Sequence, residues 1–174
     1  MRIVFMTGAV VLMTTAAPAQ QAAGLGAFHR SGQTFLTWTE VGSASGEHYR
    51  IYRHGAQITA ANLNQATRVA EVDEGSSYWP DGATHPTHPI PRFVINDLAP
   101  GVPAGTGLFV NTPNAVGNFY YCVTVVVEGV ENTSNISADN SLASPVAETD
   151  TDPLPVAAWQ SADGRAPTPS GRAR

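Results

Sequence analysis

An antiparallel β-sandwich, all-β and with loop insertions, is the fold class this sequence predicts, and three observations predict it. Short runs rich in Val, Thr, Tyr and Phe alternate between polar and apolar residues. Clusters of Gly, Pro, Ser, Asn and Asp separate them, in a chain with 16 Gly and 13 Pro. No long stretch repeats apolar residues at helical spacing, so sheets must cover one another.

The clearest run is Gly117 to Asn132, GNFYYCVTVVVEGVEN. Strand side chains alternate with a period of two. Tyr121, Val123, Val125 and Val127 therefore share one face, and Cys122, Thr124 and Val126 share the other. Seven residues at about 3.3 Å each span roughly 20 Å, an ordinary strand length. Glu128-Gly129 supplies the turn that follows. This run is placed at the centre of the core.

Composition narrows the function. The chain is 43% hydrophobic, enough for a core, but only 13% charged, against about 25% in a typical domain. A net charge of −5 gives no electrostatic reason to expect nucleic acid or an anionic membrane as partner.

In chain order, Met1 to Ala19 has the form of a cleaved export signal. It has Arg2, then the uncharged apolar run Ile3 to Ala16, then small residues in Ala17-Pro18-Ala19. The run is shorter than the roughly 20 residues that span a bilayer. A secreted or extracellular location, without stable membrane insertion, is therefore expected. Residues 20–26 read as an Ala/Gly linker and residues 27–148 as the sandwich. Within it, Gln33 to Val41 places Leu36 and Trp38 inward, and Glu47 to His54 places Tyr49 and Ile51 inward. Ile58 to Arg68 is read as one or two helical turns around Ala60, Ala61, Leu63 and Ala66, and Val69 to Val72 as a short strand. Tyr78 to Pro91 holds four prolines, which cannot donate to a ladder, so it is irregular. Arg92 to Leu98 is expected as a strand with Phe93 and Ile95 inward. Gly105 to Thr112 and Ser141 to Ala147 follow as further short strands. Residues 149–174 read as a linker or tail, interrupted by the apolar Val156 to Trp159.

These segments together resemble a fibronectin type III domain. Trp38 in LTWTE is similar to the second-strand tryptophan, Tyr49 to Arg53 to the third strand, and Phe93 to Gly101 (FVINDLAPG) to the strand ending in Leu-x-Pro-Gly. Tyr120 to Val125 and Glu128 to Asn132 are similar to the following strand and hairpin. The resemblance covers about Gly24 to Glu148 and implies an immunoglobulin-like sandwich. It also implies that Tyr121 is a corner tyrosine bonding upstream backbone. The 23 positions from Leu98 to Tyr121 exceed the family's usual spacing and mark an insertion. The layout also resembles the non-catalytic N-terminal part of secreted bacterial hydrolases, which implies a following catalytic domain as a partner.

No catalytic, cofactor or metal site is assigned. Gly42 to Gly46 has Ala44 where a nucleophile elbow needs serine. His85 and His88 in HPTHP have ligand-like spacing but no third ligand beside them. Glu71, Asp73 and Glu74, and separately Asp150 and Asp152, are acidic groups without a known calcium-loop spacing. Cys122, the single cysteine, cannot form an internal disulfide and reads as a small buried hydrophobe, with a reactive thiol or an intermolecular bridge as the alternative. Tyr78 and Trp79 either cap the sandwich, the commoner fate of large rings, or are displayed. Displayed together with Phe109, they are the candidate contacts for an extracellular polymer or protein. Asn132 and Asn135 head formal glycosylation triplets.

Overall fold

The computed structural model describes residues 20–42, 46–79, 92–96 and 99–151. Among the described residues eight strands run in order: β1 Ala23–Arg30, β2 Gln33–Thr39, β3 His48–His54, β4 Thr67–Asp73, β5 Thr106–Asn111, β6 Gly117–Val127, β7 Val130–Glu131 and β8 Val146–Glu148. One sheet has the order β1-β2-β5 and the other β4-β3-β6-β7, with β8 also on β6. Every pairing is antiparallel. β7, the Cys122–Ser141 bridge and β8 meet β6 at successive points along its length, as one edge strand interrupted by a polar excursion.

The two sheets close over a continuous apolar layer. Leu36 and Trp38 come from the first sheet, and Tyr49, Ile51, Tyr121, Val123 and Val125 from the second, all buried. The Trp38 and Tyr49 rings meet across the layer with centroids 5.5 Å apart at 49°, the tilted arrangement that aromatic quadrupoles favour. Gly107 stands opposite Trp38 in the β2–β5 register. A Cβ there would lie 2.2 Å from the indole Cε2, so only glycine leaves room for this ring. Trp38 Nε1 has no hydrogen-bond partner among the described residues, so the indole holds the sheets by packing.

β6 is buried on both faces. Its even face carries Cys122, which packs with Ile58 and Leu63 beneath the segment that precedes β4. That segment forms a single 3-10 turn, Leu63–Gln65, in place of the helical turns expected over Ile58 to Arg68.

Four expectations need correction. Residues 23–26 belong to β1, although residues 20–26 read as a linker. Gly24 takes a left-handed φ of 61° where the register shifts between Ala23 and Gly26, and this bulge disguises the strand's alternation. Phe93 and Ile95 are not in the core: Phe93 is exposed and Ile95 half-buried. The inward place beside β2 is taken by β5, so residues 92–96 lie outside the sheet. They are held by the Tyr78–Arg92 bridge and by Arg30, whose Nη2 donates to the Ile95 carbonyl at 2.8 Å. Asp97 and Leu98 lie outside the described residues. Phe109 sits in β5 opposite Leu36, packed on the core. The last edge strand reaches Glu148, one residue past its expected end.

Candidate functional site

Among the described residues three places gather side chains with chemical potential, and in two of them most polar groups bond within the fold, His29 Nε2 excepted. The first lies where β8 closes the sandwich. Glu148 is buried, and its Oε1 accepts from Thr34 Oγ1 at 2.8 Å and from the Tyr121 hydroxyl. Its Oε2 accepts from Arg53 Nε at 3.1 Å and Nη2 at 2.5 Å. Asn111 Nδ2 donates to the Tyr121 hydroxyl at 2.9 Å. Thr34 commits its one proton to Glu148, so His29 Nδ1, 3.0 Å away, must be the donor to Thr34. Arg53 also lies 3.2 Å from the Phe119 ring centroid. Thr34 and Asn111 belong to one sheet, Arg53, Tyr121 and Glu148 to the other, so the cluster pins them together. Burial, then the bond to Glu148, raise the Tyr121 phenol above its usual range and keep it protonated.

The corner-tyrosine expectation is corrected here. The Tyr121 hydroxyl bonds a carboxylate 27 positions downstream. The upstream backbone bond is made by Tyr49, whose hydroxyl accepts the Val41 N–H at 2.7 Å and donates to Glu47 at 3.0 Å.

The second place is on the outer face of the larger sheet. Glu131 accepts from Thr124 Oγ1 at 2.6 Å, Tyr52 Oη at 2.7 Å and Arg50 Nη1 at 2.6 Å. Arg50 also reaches Glu71 at 2.7 Å, and Arg68 reaches Glu71 at 3.2 Å. Burial opposes ionisation of Glu131, but the two hydroxyls and the guanidinium outweigh it and hold its carboxyl below the usual range. Burial and the Glu131 bond push the Tyr52 phenol up to about 12. A carboxyl whose pKa is lowered by folding adds stability that is complete above its unfolded value of about 4.3. That stability is lost as pH falls through the folded value. Melting temperatures of the wild type and Glu131→Gln should therefore differ most at neutral pH and converge towards pH 3. A constant gap across that range would contradict the assignment.

The acidic group Glu71, Asp73 and Glu74 is likewise engaged: Glu71 pairs with two arginines, Asp73 with His48 at 2.7 Å, and Glu74 accepts the Gly46 N–H at 3.1 Å. Asp150 lies 3.7 Å from His29 Nε2. Among the described residues no group of three or more His, Cys, Asp or Glu side chains could hold a metal ion. His85, His88 and Asp152 lie outside them, as do residues 43–45. Burial pushes the Cys122 thiol up to about 12, so it stays protonated and unreactive.

The third place is exposed. Tyr78 is 45% accessible, Trp79 42% and Phe93 43%. The Trp79 and Phe93 rings are nearly parallel, with centroids 6.2 Å apart and an interplanar angle of 11°. Arg92 lies 5.6 Å from the Tyr78 ring centroid. Both predicted loop aromatics are thus displayed, and Phe93, expected inside, joins them. Phe109, expected beside them, does not. No family model, curated protein or solved structure matches this chain.

Proposed function

We propose that the chain is a non-catalytic, fibronectin type III-like module, exported by its first 19 residues, that serves as a spacer or interaction domain. A following hydrolase domain is the partner its layout suggests. The observation that carries this reading is how the polar groups are used. The carboxylates of Glu148 and Glu131 and the hydroxyls of Tyr52 and Tyr121 are consumed by bonds that join strands, and the Tyr49 hydroxyl by bonds to Val41 and Glu47 just outside β2 and β3. A catalytic acid, base or nucleophile must instead face a reacting atom. The strand order lends further support, since the fourth strand pairs with the third and does not join the three-stranded sheet as in constant-type immunoglobulin domains. Purified chain should hydrolyse neither esters nor peptides. Hydrolysis abolished by a single substitution would overturn the proposal.

A second reading, a module that binds carbohydrate or another surface polymer, is favoured by the displayed Tyr78, Trp79 and Phe93. Flat rings supply stacking area on a firm support. Trp79→Ala should lower retention on a bound polysaccharide on the order of two- to tenfold, as expected for one lost ring contact. Absence of wild-type retention on any polymer tested would remove this reading.

A further inference from the structure

One further group of carboxyls lies where three strands end, and no cation answers it. Glu40 follows β2, Glu47 precedes β3 and Glu74 follows β4. Hydrogen bonds draw them into one corner. The Val41 N–H donates to the Tyr49 hydroxyl at 2.7 Å, and that hydroxyl donates to Glu47 Oε1 at 3.0 Å. Glu40 Oε1 accepts the Gly75 N–H at 2.8 Å, while the adjacent Glu74 N–H donates to the Glu47 carbonyl at 3.1 Å. Every donor to these three carboxyls is uncharged. Glu71, Glu131 and Glu148, by contrast, each hold an arginine.

Glu47 is the informative member. It is 2% exposed, yet its Oε2 has no hydrogen-bond partner among the described residues. A carboxylate removed from water is costly unless it is paired, hydrogen-bonded or bound to a metal. Burial raises the Glu40 carboxyl above its usual range, and repulsion from Glu47 and Glu74 adds to this against the N–H bonds from Gly75 and Ser76. The corner thus concentrates negative charge that the fold leaves unneutralised.

We propose that Glu40 and Glu47 together hold one calcium ion, with water completing its shell. Calcium accepts about six to eight oxygens in flexible geometry, whereas magnesium demands a near-ideal octahedron. Zinc favours nitrogen and sulfur ligands, which these groups lack. No three acidic side chains among the described residues are placed to share one ion, so the site is a pair, and Glu74 adds negative charge nearby. With so few charges the affinity is weak, a dissociation constant on the order of 0.1–1 mM, as in extracellular calcium modules.

Thermal unfolding of the full chain at constant ionic strength tests the site. Calcium at about 10 mM, in place of EDTA, should raise the melting temperature on the order of 5 °C, and magnesium should raise it far less. Glu47→Gln keeps an acceptor for Tyr49 while removing the charge, and Glu40→Gln does the same for Gly75. Each variant, read against its own calcium-free melting temperature, should lose the calcium response, which separates a lost ligand from altered packing. A wild type indifferent to calcium would overturn the proposal. So would an equal rise in magnesium, the mark of general screening, or an undiminished calcium response in both variants, which would put the ion elsewhere.

Discussion

Glu148→Ala is expected to destabilise the domain by about 3–5 kcal/mol, the usual cost of removing one partner from a buried ion pair. The substitution leaves Arg53 without its carboxylate and takes the acceptor from both the Thr34 and Tyr121 hydroxyls. Domains of this size are stable by only about 5–15 kcal/mol, so much of the total is at stake. A fall in melting temperature on the order of 10–15 °C should follow. Thr34→Val, which removes the bonds to Glu148 and from His29 but leaves the Glu148–Arg53 pair intact, should cost less, about 2 kcal/mol. Urea titrations of both variants check the contrast. Equal, small losses would mean that Glu148 merely lies near its partners without anchoring them.

Trp38→Ala should have a comparable effect, about 3–5 kcal/mol, because the lost ring leaves a cavity between two sheets that cannot collapse freely. The indole nitrogen is unpaired among the described residues, so packing supplies the whole effect. Gly107 provides an internal control. The three atoms nearest a methyl group there all belong to Trp38, and Gly107→Ala alone should cost about 1–3 kcal/mol through overpacking. In the Trp38→Ala background that penalty should fall sharply, since the closest atoms to the alanine methyl are gone. A double-mutant cycle measures the coupling. Additive losses would contradict the contact.

The parts of this fold legible in the sequence are those where alternation and side-chain size agree. Leu36/Trp38, Tyr49/Ile51 and the Tyr121/Val123/Val125 row are placed by a period of two and lie buried. β1 was hidden because Gly24 and Gly26 interrupt its pattern and a bulge shifts its register. Phe93 and Ile95 alternate as a strand would, yet alternation cannot tell a laddered strand from a segment laid outside a sheet whose inward place is filled. The Glu148 cluster carried no local signal at all. One glutamate at the head of a polar run looks like solvated tail, and its partner Arg53 is 95 positions away. Tyr78 and Trp79 are exposed although capping is the commoner fate of such rings, and no sequence pattern separates the two outcomes; Phe109 packs on the core because its strand pairs with β2.

The closure made by Glu148 also constrains how the molecule assembles. Thr34 meets Glu148 across 114 positions, and Gln21 reaches the Asn132 carbonyl across 111. Contacts this distant in sequence slow folding, to about milliseconds or seconds in all-β domains. A nascent chain emerging amino end first would hold its aromatic interior uncapped until nearly its whole described length had appeared. Such a polypeptide carries exposed apolar strands late into synthesis, the state in which β-rich chains are most prone to associate wrongly.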